Sequence, residues 1–424
     1  MNIFDELKWR GLIYDSTEGL EEAIASNIFT IYVGIDPTAS SLHVGHLLPI
    51  LVLSRLQKFG HIPIVVAGGG TGLIGDPSGK NEERPLLTTD IVQHNLESIK
   101  KQLSSLLDFN SKTNPATIVN NADWLTKIGM LDFLRTVGKY FTVNYMLAKE
   151  SVKRRIDLDD GISFTEFSYM LAQSYDYLVL YEQYGCKLQI GGSDQWGNIT
   201  AGIDLIRKKK SDRVFGLVLP LLTTSNGVKF GKTGLGTIWL SPDLTSPFKF
   251  YQCWVNVEDA DVIKYLKYFT FLNAEEINSY QESLEKYPEK REAQKRLARE
   301  ITTLVHGPEE LEKAEKATEV LFGGNIQGLQ AKEILEIFED VPSVELSKQK
   351  LLNELSLLVD FCVYSGVTAS KNEAKRLVRN NGLYLNNNRI DDEYYRITKN
   401  DLVEDCLLVL RKGTREYRLV KIVN

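Results

Sequence analysis

The chain has 424 residues, of which 43% are hydrophobic and 25% are charged. This composition provides enough apolar side chain for a sizeable core and excludes a disordered or fibrous protein. The 50 basic and 56 acidic residues give a net charge of −6, so the chain as a whole has no positive field that would attract nucleic acid. A length prior of roughly 150 residues per domain predicts two to four domains.

The charge is unevenly distributed along the chain. Residues 357–424 contain 12 Lys and Arg against 9 Asp and Glu, a net charge of +3, whereas the remainder contains 38 and 47, a net charge of −9. A mildly basic end on an acidic body is a weak indication of a polyanionic partner.

The cysteines and the hydropathy pattern predict a cytoplasmic protein that does not contact a membrane. The four cysteines are far apart and form no CxxC pair, so buried free thiols are favoured over a disulfide framework or a zinc ribbon. No apolar run reaches the roughly 18 residues of a membrane span. The first residues lack both the apolar core of a signal peptide and the acid-poor pattern of a transit peptide.

The first half of the chain alternates strand-like and helix-like segments. Residues 62–67 form an apolar run without alternation, as expected for a strand that is covered on both faces. Helices between buried strands predict a parallel α/β sheet, whose ligands bind beyond the carboxyl ends of its strands. The predicted strands are residues 29–35, 62–67, 116–120 and 187–190, and the predicted helices are residues 47–59 and 164–184.

The second half has a different character. Residues 248–323 are predicted to be charged amphipathic helix with one internal break at His306-Gly307-Pro308, and Gly323-Gly324-Asn325 predicts a turn or linker. From about Leu357 a compact unit follows, with helix-like and strand-like segments around a basic stretch at residues 370–380. The sequence therefore predicts three units and a connecting loop.

Three short motifs resemble known sites but lack a necessary feature. Residues 70–75 match GxGxxG, yet the turn-forming Asp76-Pro77-Ser78-Gly79 follows and cannot open the helix that a dinucleotide site requires. Residues 74–81 fail the P-loop pattern at both ends, and residues 191–195 lack the last glycine of a nucleophile elbow. These observations argue against an oxidoreductase, a P-loop hydrolase and a serine esterase.

The sequence HVGH at residues 43–46 is the first candidate for chemistry. A helix that opens near His43 would place His43 and His46 on one face, with its N-terminal amides at the carboxyl edge of the sheet, where an anion is favoured. Gly45 would leave space for a flat ring to approach the backbone. Alone, the motif is equally compatible with histidines that only cap a helix, and a metal site would lack a third ligand nearby.

The second candidate is Lys229-Phe230-Gly231-Lys232-Thr233, in a glycine-rich stretch. Two lysines three residues apart concentrate positive charge, and phosphate is the natural partner of their ammonium groups. A solvated surface loop is the alternative for this motif read alone. The two motifs stand at opposite ends of the α/β unit, and their joint occurrence is far more specific than either.

Two further polar patterns lie on predicted helices. Tyr169, Gln173 and Asp176 are spaced i, i+4 and i+7, so they form one stripe, which could be a solvated face, a helix–helix seam or the wall of a ligand site. Four basic residues share one face of a shorter helix, where a solvated charged face is the usual alternative to RNA contact. They are Lys371, Lys375, Arg376 and Arg379.

These motifs resemble those of the class I aminoacyl-tRNA synthetases. HVGH resembles their HIGH signature, and KFGKT resembles their KMSKS signature with both lysines kept and three other positions changed. YVGIDPTASSLHVGH (32–46), GGGTGLIGDPSGK (68–80), YMLAQSYDY (169–177) and QIGGSDQWGN (189–198) resemble the bacterial-type tyrosyl-tRNA synthetases. The resemblance covers essentially the whole chain, and its C-terminal part resembles the αL RNA-binding fold.

The resemblance implies an α/β fold in which a Rossmann-like parallel-sheet catalytic domain is followed by an α-helical domain and a small α+β RNA-binding module. It places the catalytic domain at residues 1–220 and a mobile lysine loop with its linker at residues 221–247. An α-helical domain on the anticodon side of the tRNA follows at residues 248–323, a linker at 324–356 and the RNA-binding module at 357–424.

The implied reaction is the activation of L-tyrosine by ATP, with release of pyrophosphate, and transfer of the tyrosyl group to the 3′ end of tRNA(Tyr). Mg²⁺ is expected to accompany ATP, no protein-bound metal cage is expected, and the family implies a homodimer. Three alternatives remain: a tryptophanyl-type synthetase, a small-molecule adenylyltransferase, and an inactive RNA-binding paralogue.

The resemblance also implies roles for individual residues. Tyr32 and Asp176 would hold the phenolic hydroxyl of tyrosine, and Thr38 and His43 the ATP phosphates. The implied catalytic residues are Thr38, His43, His46, Lys229 and Lys232. The implied tyrosine-binding residues are Tyr32, Asp76, Tyr169, Gln173, Asp176 and Gln195. The implied ATP-binding residues are Asp36, Gly45, Gly192, Asp194, Lys232 and Thr233. The implied RNA-binding residues are Lys371, Lys375, Arg376 and Arg379.

Overall fold

The computed structural model describes residues 2–78, 87–157, 161–228, 230–233, 236–339, 341–413 and 416–423, and of Lys232 and Thr233 it describes the backbone. The chain forms two compact units. The first comprises Met1–Ser246 with Cys253–Val305, and the second comprises Pro247–Gln252 with His306–Asn424.

The first unit is built on a sheet of mainly parallel strands. Its strands are β1 (Asp15–Ser16), β2 (Thr30–Ile35), β3 (Ile62–Ala67), β4 (Thr117–Asn120), β5 (Cys186–Gly192) and β6 (Phe215–Leu219). Their order across the sheet is β1-β6-β5-β2-β3-β4, and only β1 runs antiparallel to its neighbour. The chain winds from β2 towards β4 on one side and returns through β5 to β6 on the other. The order therefore reverses between β2 and β5, where α/β sheets bind their ligands. This arrangement confirms the predicted Rossmann-like α/β architecture.

Helices of the first unit cover the sheet and extend beyond it. They are α1 (Ile3–Trp9), α2 (Leu20–Ser26), α3 (Val44–Lys58), α4 (Thr89–Leu103), α5 (Ala122–Leu125), α6 (Met130–Thr136), α7 (Val143–Leu147), α8 (Glu150–Ile156), α9 (Phe164–Tyr184) and α10 (Trp196–Lys210). A small hairpin, β7 (Lys232–Thr233) and β8 (Gly236–Thr237), follows β6. Helix α9 has the predicted bounds because Ser163 caps its first turn and Gly185 ends it with a φ of 62°.

The helical stretch after residue 247 has more breaks than the sequence predicted. Its helices are α11 (Pro247–Val255), α12 (Asp259–Phe269), α13 (Ala274–Lys286), α14 (Glu292–His306) and α15 (Pro308–Leu321). The single predicted break at Gly307 is present, but the expectation of one break was wrong. The backbone of Thr270 is extended, and Asn273 and Glu276 form a capping box that starts the next helix.

The remaining part of the second unit is an α+β module. Its helices are α16 (Ala331–Ile337), α17 (Lys348–Asn353), α18 (Leu358–Tyr364) and α19 (Lys371–Arg379), and its strands are β9 (Ser343–Ser347), β10 (Leu383–Leu385), β11 (Asn388–Arg389), β12 (Leu407–Lys412) and β13 (Glu416–Val423). The strands form one sheet in the order β11-β10-β12-β13-β9. Leu358, Phe361, Ala374 and Val378 bring the apolar faces of α18 and α19 into the core of this module. Among the described helices, none has the length and apolar character needed to cross a lipid bilayer.

Candidate functional site

A cleft of about 580 Å³ opens in the first unit at the point where the strand order reverses. The carboxyl ends of β2 and β5, the first turn of α3 and one face of α9 form its walls. It contains most of the residues that the sequence assigned to tyrosine and ATP. These are Tyr32, Asp36, Thr38, His43, Gly45, His46, Asp76, Tyr169, Gln173, Asp176, Gly192, Asp194 and Gln195.

The two histidines of HVGH organise the first turn of α3. His43 is the N-cap residue, and its Nδ1 accepts a hydrogen bond of 3.0 Å from the amide of Gly45. His46 reaches back, and its Nδ1 accepts from the amide of His43 at 3.3 Å. The two rings stack with their centroids 3.9 Å apart. Both histidines therefore cap the helix and also line the cleft, so the capping and functional readings of HVGH are compatible.

Gly45 is required by this arrangement. A Cβ at residue 45 would lie 2.8 Å from Cε1 of His43, closer than real Cβ contacts allow. Because Gly45 has no side chain, the backbone leaves space at this position, and the ring of His43 lies next to that space. A larger residue would displace that ring from the helix terminus.

The segment that follows β6 returns to HVGH through backbone pairing. The amide of Val44 donates to the carbonyl of Ile238 at 3.1 Å, and the amide of Leu240 donates to the carbonyl of Leu42 at 2.8 Å. The amide of Ile238 also donates to the carbonyl of Gly231, at 3.0 Å. Gly231 is the central residue of KFGKT, so the structure brings the backbones of the two motifs together. Lys229 lies outside the described residues.

The base of the cleft contains a buried tyrosine and a buried aspartate. Tyr32 is 1% exposed, and among the described residues its hydroxyl has no hydrogen-bond partner. Asp176 is 4% exposed, and its carboxylate accepts from Asn121 Nδ2 at 2.9 Å and from Trp124 Nε1 at 2.7 Å. A carboxylate has about four acceptor positions, so Asp176 can accept a further donor.

Burial controls the protonation of this pair. Burial raises the pKa of Asp176 to about 7, the hydrogen bonds from Asn121 and Trp124 oppose the rise, and the charge of Asp36 adds to it. Burial, followed by the charge of Asp176, raises the pKa of Tyr32 well above its usual value. Tyr32 therefore keeps its hydroxyl proton near neutral pH, while Asp176 titrates there.

A second group of acidic side chains surrounds Tyr169. The Tyr169 hydroxyl donates to Asp36 Oδ2 at 2.8 Å, and the Thr71 hydroxyl donates to Asp36 Oδ1 at 2.7 Å. Burial raises the pKa of Tyr169 well above its usual value, and the nearby charges of Asp36, Asp76 and Asp176 add to that rise. The described residues that line the cleft include no lysine or arginine. The middle of the cleft is therefore suited to a cation.

Amide side chains connect the walls of the cleft. Gln195 Nε2 donates to Asp76 Oδ2 at 2.7 Å, and Asn198 Nδ2 donates to Gln173 Oε1 at 3.0 Å. Gln173 and Asp76 therefore have fixed neighbours on α10 and in the turn before it. The stripe on α9 forms a wall of the cleft, rather than a solvated face.

Sequence reasoning missed three residues that hold this site together, Asn121, Trp124 and Asn198. Asn121 follows the predicted strand at residues 116–120, so its position at the carboxyl edge of the sheet was an available signal. Asn121 also donates to Thr71 Oγ1 at 2.8 Å. Asn198 ends the segment QIGGSDQWGN that carries the family resemblance, whereas no pattern marks Trp124, because its importance depends on a contact with a residue distant in sequence.

The four basic residues predicted to bind RNA lie on α19 in the second unit. Lys371 forms an ion pair of 2.7 Å with Asp360, and Arg379 Nη2 donates to Glu393 at 3.0 Å. The ammonium group of Lys375 lies 6.0 Å from the centre of the Tyr394 ring, and Arg376 is exposed. The predicted helix is confirmed, but two of its four cations are neutralised by carboxylates of the same unit.

Comparison with known proteins identifies the family. The family model described as "tRNA synthetases class I (W and Y)" matches residues 25–323. The tyrosine–tRNA ligase of Roseiflexus castenholzii is 53% identical over 421 residues, which cover 99% of each chain. The chain belongs to the tyrosine–tRNA ligase family of class I synthetases.

Further matches agree with this family. The model described as "Tyrosine--tRNA ligase SYY-like C-terminal domain" matches residues 333–420. Tyrosine–tRNA ligase 1 of Bacillus subtilis is 53% identical over 423 residues and 99% of each chain. Among solved structures, a C-terminally truncated mitochondrial tyrosyl-tRNA synthetase of Aspergillus nidulans is similar, with a TM-score of 0.69 and 34% identity. That match covers 76% of this chain and 94% of the other.

Proposed function

We infer that this chain is a tyrosine–tRNA ligase. It activates L-tyrosine with ATP to give tyrosyl-adenylate and pyrophosphate, and it transfers the tyrosyl group to the 3′ end of tRNA(Tyr). Support comes from the full-length similarity to ligases of that name. It also comes from a cleft whose residues suit the phenol of tyrosine, its ammonium group and ATP.

The observation that carries this proposal is the buried Tyr32 hydroxyl, which has no hydrogen-bond partner in the described part of the chain and lies near the buried carboxylate of Asp176. Leaving a buried hydroxyl unpaired costs roughly 1–3 kcal/mol, so a ligand that supplies a partner gains that energy. A phenolic hydroxyl can donate to Asp176 and accept from Tyr32 at once. An indole has a donor only, and a phenyl ring has neither, so this pair favours tyrosine over tryptophan and phenylalanine.

The acidic residues around Tyr169 would bind the substrate's ammonium group. Asp76, Tyr169 and Gln173 are assigned to it by the family resemblance, with Gln195 towards the substrate carboxylate. The family resemblance assigns Asp36 to ATP, and in the structure its carboxylate also accepts hydrogen bonds from Tyr169 and Thr71. We therefore propose that Asp36 contributes to the ammonium site. A cation there would lie near the carboxylates of Asp36 and Asp76, in a lining whose described residues include no lysine or arginine.

The opposite end of the cleft would bind ATP. The N-terminus of α3, with His43, Gly45 and His46, favours an anion because the positive end of the helix dipole lies there. Thr38 and His43 are assigned to the phosphates, His46 and Gly45 to the region near the nucleoside, and Gly192 and Asp194 to the ribose. Lys229, Lys232 and Thr233 are proposed to contact the phosphates that leave as pyrophosphate.

The first step needs no general base, because the carboxylate of tyrosine is already ionised at neutral pH. Its oxygen attacks the α-phosphorus of ATP, a P–O bond forms, and the bond to the pyrophosphate oxygen breaks. Catalysis then depends on holding the two reactants in line and on stabilising the negative charge that develops. His43, Lys229 and Lys232 are suited to stabilising that negative charge. In the next step, the 3′-terminal ribose hydroxyl of tRNA attacks the adenylate carbonyl and releases AMP.

Mg²⁺ is proposed as the counter-ion of the ATP phosphates, since phosphate oxygens and water are the ligands it prefers. The proposal assigns it no protein cage. Bound in this way, it would neutralise charge on the departing pyrophosphate.

The second unit is proposed to contact tRNA through α19. Lys375 and Arg376 are the basic residues of that helix for which we propose direct phosphate contact. Lys371 and Arg379 would first exchange their carboxylate partners for phosphate, so we expect them to contribute less.

We further propose a cytoplasmic homodimer. Its support is a concentration of exposed apolar side chains in one stretch of the first unit, where Met130, Leu131 and Phe164 are 71%, 78% and 74% exposed. Such exposure is typical of an interaction surface. The mass measured by sedimentation tests this proposal.

Measuring ATP–pyrophosphate exchange with each of the twenty amino acids tests the proposed function. We expect exchange with tyrosine alone, and charging of tRNA(Tyr) when tRNA is added. Exchange with tryptophan in place of tyrosine would select the tryptophanyl alternative. No exchange with any amino acid would favour an RNA-binding paralogue without activity.

A further inference from the structure

Helix α12 contacts the segment that leads to KFGKT at several points. Asp261, Lys264 and Tyr265 lie on one face of this helix, at i, i+3 and i+4. All three belong to the first unit and lie outside the described lining of the cleft. They contact Thr223, Ser225 and Phe230, which lie close in sequence to the proposed catalytic lysines.

The first contact is at Thr223. Its carbonyl oxygen accepts from Lys264 Nζ at 3.0 Å and from the Tyr265 hydroxyl at 3.1 Å. Two donors from adjacent residues of one helix therefore converge on a single backbone atom. Tyr265 is 0% exposed, so its hydroxyl is fixed by the core around its ring.

The second contact is at Ser225, two residues later. Its amide donates to Asp261 Oδ2 at 2.9 Å, and Asp261 Oδ1 accepts from Lys264 Nζ at 2.7 Å. The Asp261 side chain is 3% exposed. The aspartate thus joins the amide of Ser225 to the ammonium group that also holds Thr223.

The third contact is at Phe230, within KFGKT itself. Its ring centroid lies 4.8 Å from that of Tyr265 and 5.0 Å from that of Trp254, and both partners are 0% exposed. The amide of Phe230 donates to the carbonyl of Leu222 at 2.9 Å. The chain between these residues therefore folds back on itself, with both ends held against the same helix and its aromatic neighbours.

Helix α12 is in turn fixed to the helix that begins at HVGH. Arg55, on α3, is 2% exposed and donates to the carbonyl of Thr270 at the end of α12. Arg10 donates to the same carbonyl at 3.1 Å and to the carbonyl of Leu272 at 2.7 Å. Buried guanidinium groups at a helix C-terminus complement its partial negative charge.

We propose that Asp261 and Tyr265 are positioning residues for the activation step, holding the backbone around KFGKT in register with HVGH. They touch neither substrate. They act through Thr223, Ser225 and Phe230, so that Lys232 is delivered to the pyrophosphate end of the cleft without the entropy cost of ordering that segment in each turnover. This inference rests on the proposed function of Lys232.

The sharpest test removes a single atom. Tyr265→Phe keeps the ring against Phe230 but removes one donor to the Thr223 carbonyl. Tyr268→Phe is the matched control, because Tyr268 lies on the same helix with its ring near Gly11. We expect the rate constant for tyrosyl-adenylate formation to fall about two- to tenfold in Tyr265→Phe, the effect of one lost hydrogen bond. The Kd for tyrosine and the melting temperature should change little.

A double-mutant cycle with Lys232→Ala separates positioning from general stability. If Tyr265 acts through the lysine, Tyr265→Phe should have little further effect once Lys232 is absent. Losses that multiply, no loss in Tyr265→Phe, or an equal loss in Tyr268→Phe would each overturn the inference.

Asp261 provides a second variant in case Tyr265→Phe folds poorly. Asp261→Asn can still accept from the amide of Ser225, whereas Asp261→Ala cannot. We expect Asp261→Ala to slow adenylate formation and Asp261→Asn to restore part of the rate at unchanged tyrosine Kd. Equal rates in the two variants would contradict the positioning role of this contact. Absence of tyrosine-dependent exchange in the unaltered protein would instead refute the proposed function.

Discussion

The indole Nε1 of Trp124 donates a hydrogen bond of 2.7 Å to Oδ1 of Asp176. This bond and the one from Asn121 favour the ionised form of a carboxyl group whose burial favours the protonated form. The proposed acceptor for the substrate's phenol, Asp176, therefore depends on residues that do not themselves need to touch tyrosine.

Replacing Trp124 with Phe should weaken tyrosine binding while leaving phenylalanine binding nearly unchanged. The change removes one donor to a charged acceptor, an interaction that contributes roughly 1.5–3 kcal/mol. Titration of both amino acids at equilibrium measures the effect. Trp196→Phe, a half-buried tryptophan of the same unit outside the cleft lining, is the control. Equal weakening for both amino acids would assign Trp124 a purely structural role.

The pKa of Asp176 predicts that selectivity depends on pH. Because burial raises this pKa to about 7, the carboxylate form that best accepts the phenolic proton becomes dominant as the pH rises from 6 to 8. The ratio of kcat/KM for tyrosine to that for phenylalanine should increase across this range. Asp176→Asn should have a low ratio that does not change with pH. A ratio that is constant in the native protein would contradict the role of Asp176.

The same shift has a consequence for stability. The folded-state pKa lies above the ordinary value of 3.8, so the folded protein holds this proton to higher pH than the unfolded chain does. The stabilisation that this pKa difference contributes to the free energy of unfolding is on the order of a few kcal/mol. It is fully present below about pH 4 and is lost as the pH rises to about 7. The difference in unfolding free energy between the native protein and Asp176→Asn should decrease over that interval, as measured by denaturant titration at several pH values.

The sequence predicted the parts of the molecule that local patterns determine. Helix α9 has the bounds predicted from the sequence, and its ends carry the cap residues Ser163 and Gly185. The helix expected to open near His43 is also present, and His43 is its N-cap residue. The break at Thr270 was missed because Phe271 and Leu272 continue the apolar pattern of α12 beyond its last residue. Only the capping box at Asn273 marks the new helix.

The candidate site was predictable where one segment carries its residues, but not where distant segments meet. Tyr169, Gln173 and Asp176 share a helix face, so their common wall followed from spacing. The bonds from Asn121 and Trp124 to Asp176 span more than 50 positions, and the contacts of α12 with Thr223 and Ser225 about 40. Such contacts depend on tertiary packing, for which a single sequence has no local signal.

Lys232 is expected to act on the transition state more than on bound tyrosine. Lys232→Ala should slow adenylate formation by roughly 100-fold or more, because we propose that the lysine neutralises charge that develops on pyrophosphate. The Kd for tyrosine should hardly change. Lys210→Ala, at an exposed ion pair with Glu182, is the control. Collapse of tyrosine binding in folded Lys232→Ala would show that the lysine has been assigned the wrong role.

Helix α19 is expected to contribute electrostatically to tRNA binding. The double variant Lys375→Ala/Arg376→Ala should weaken tRNA affinity and reduce the slope of log K against log salt by about 1–2, since each phosphate contact contributes roughly 0.7–0.9. Tyrosyl-adenylate formation should be unaffected. Lys313→Ala/Lys316→Ala, which removes an exposed basic pair from α15, is the control. An unchanged salt slope in the α19 variant would remove the proposed RNA contact.

We propose that Tyr32 and Asp176 recognise the hydroxyl that distinguishes tyrosine from phenylalanine. The most direct measurement is kcat/KM for ATP–pyrophosphate exchange with both amino acids, in the native protein and in Tyr32→Phe. Removal of one neutral hydrogen-bond partner should reduce the preference for tyrosine by about 0.5–1.5 kcal/mol, a factor of roughly 2 to 12, with little change for phenylalanine. A full preference for tyrosine in Tyr32→Phe, or an equal loss for both amino acids, would contradict this account.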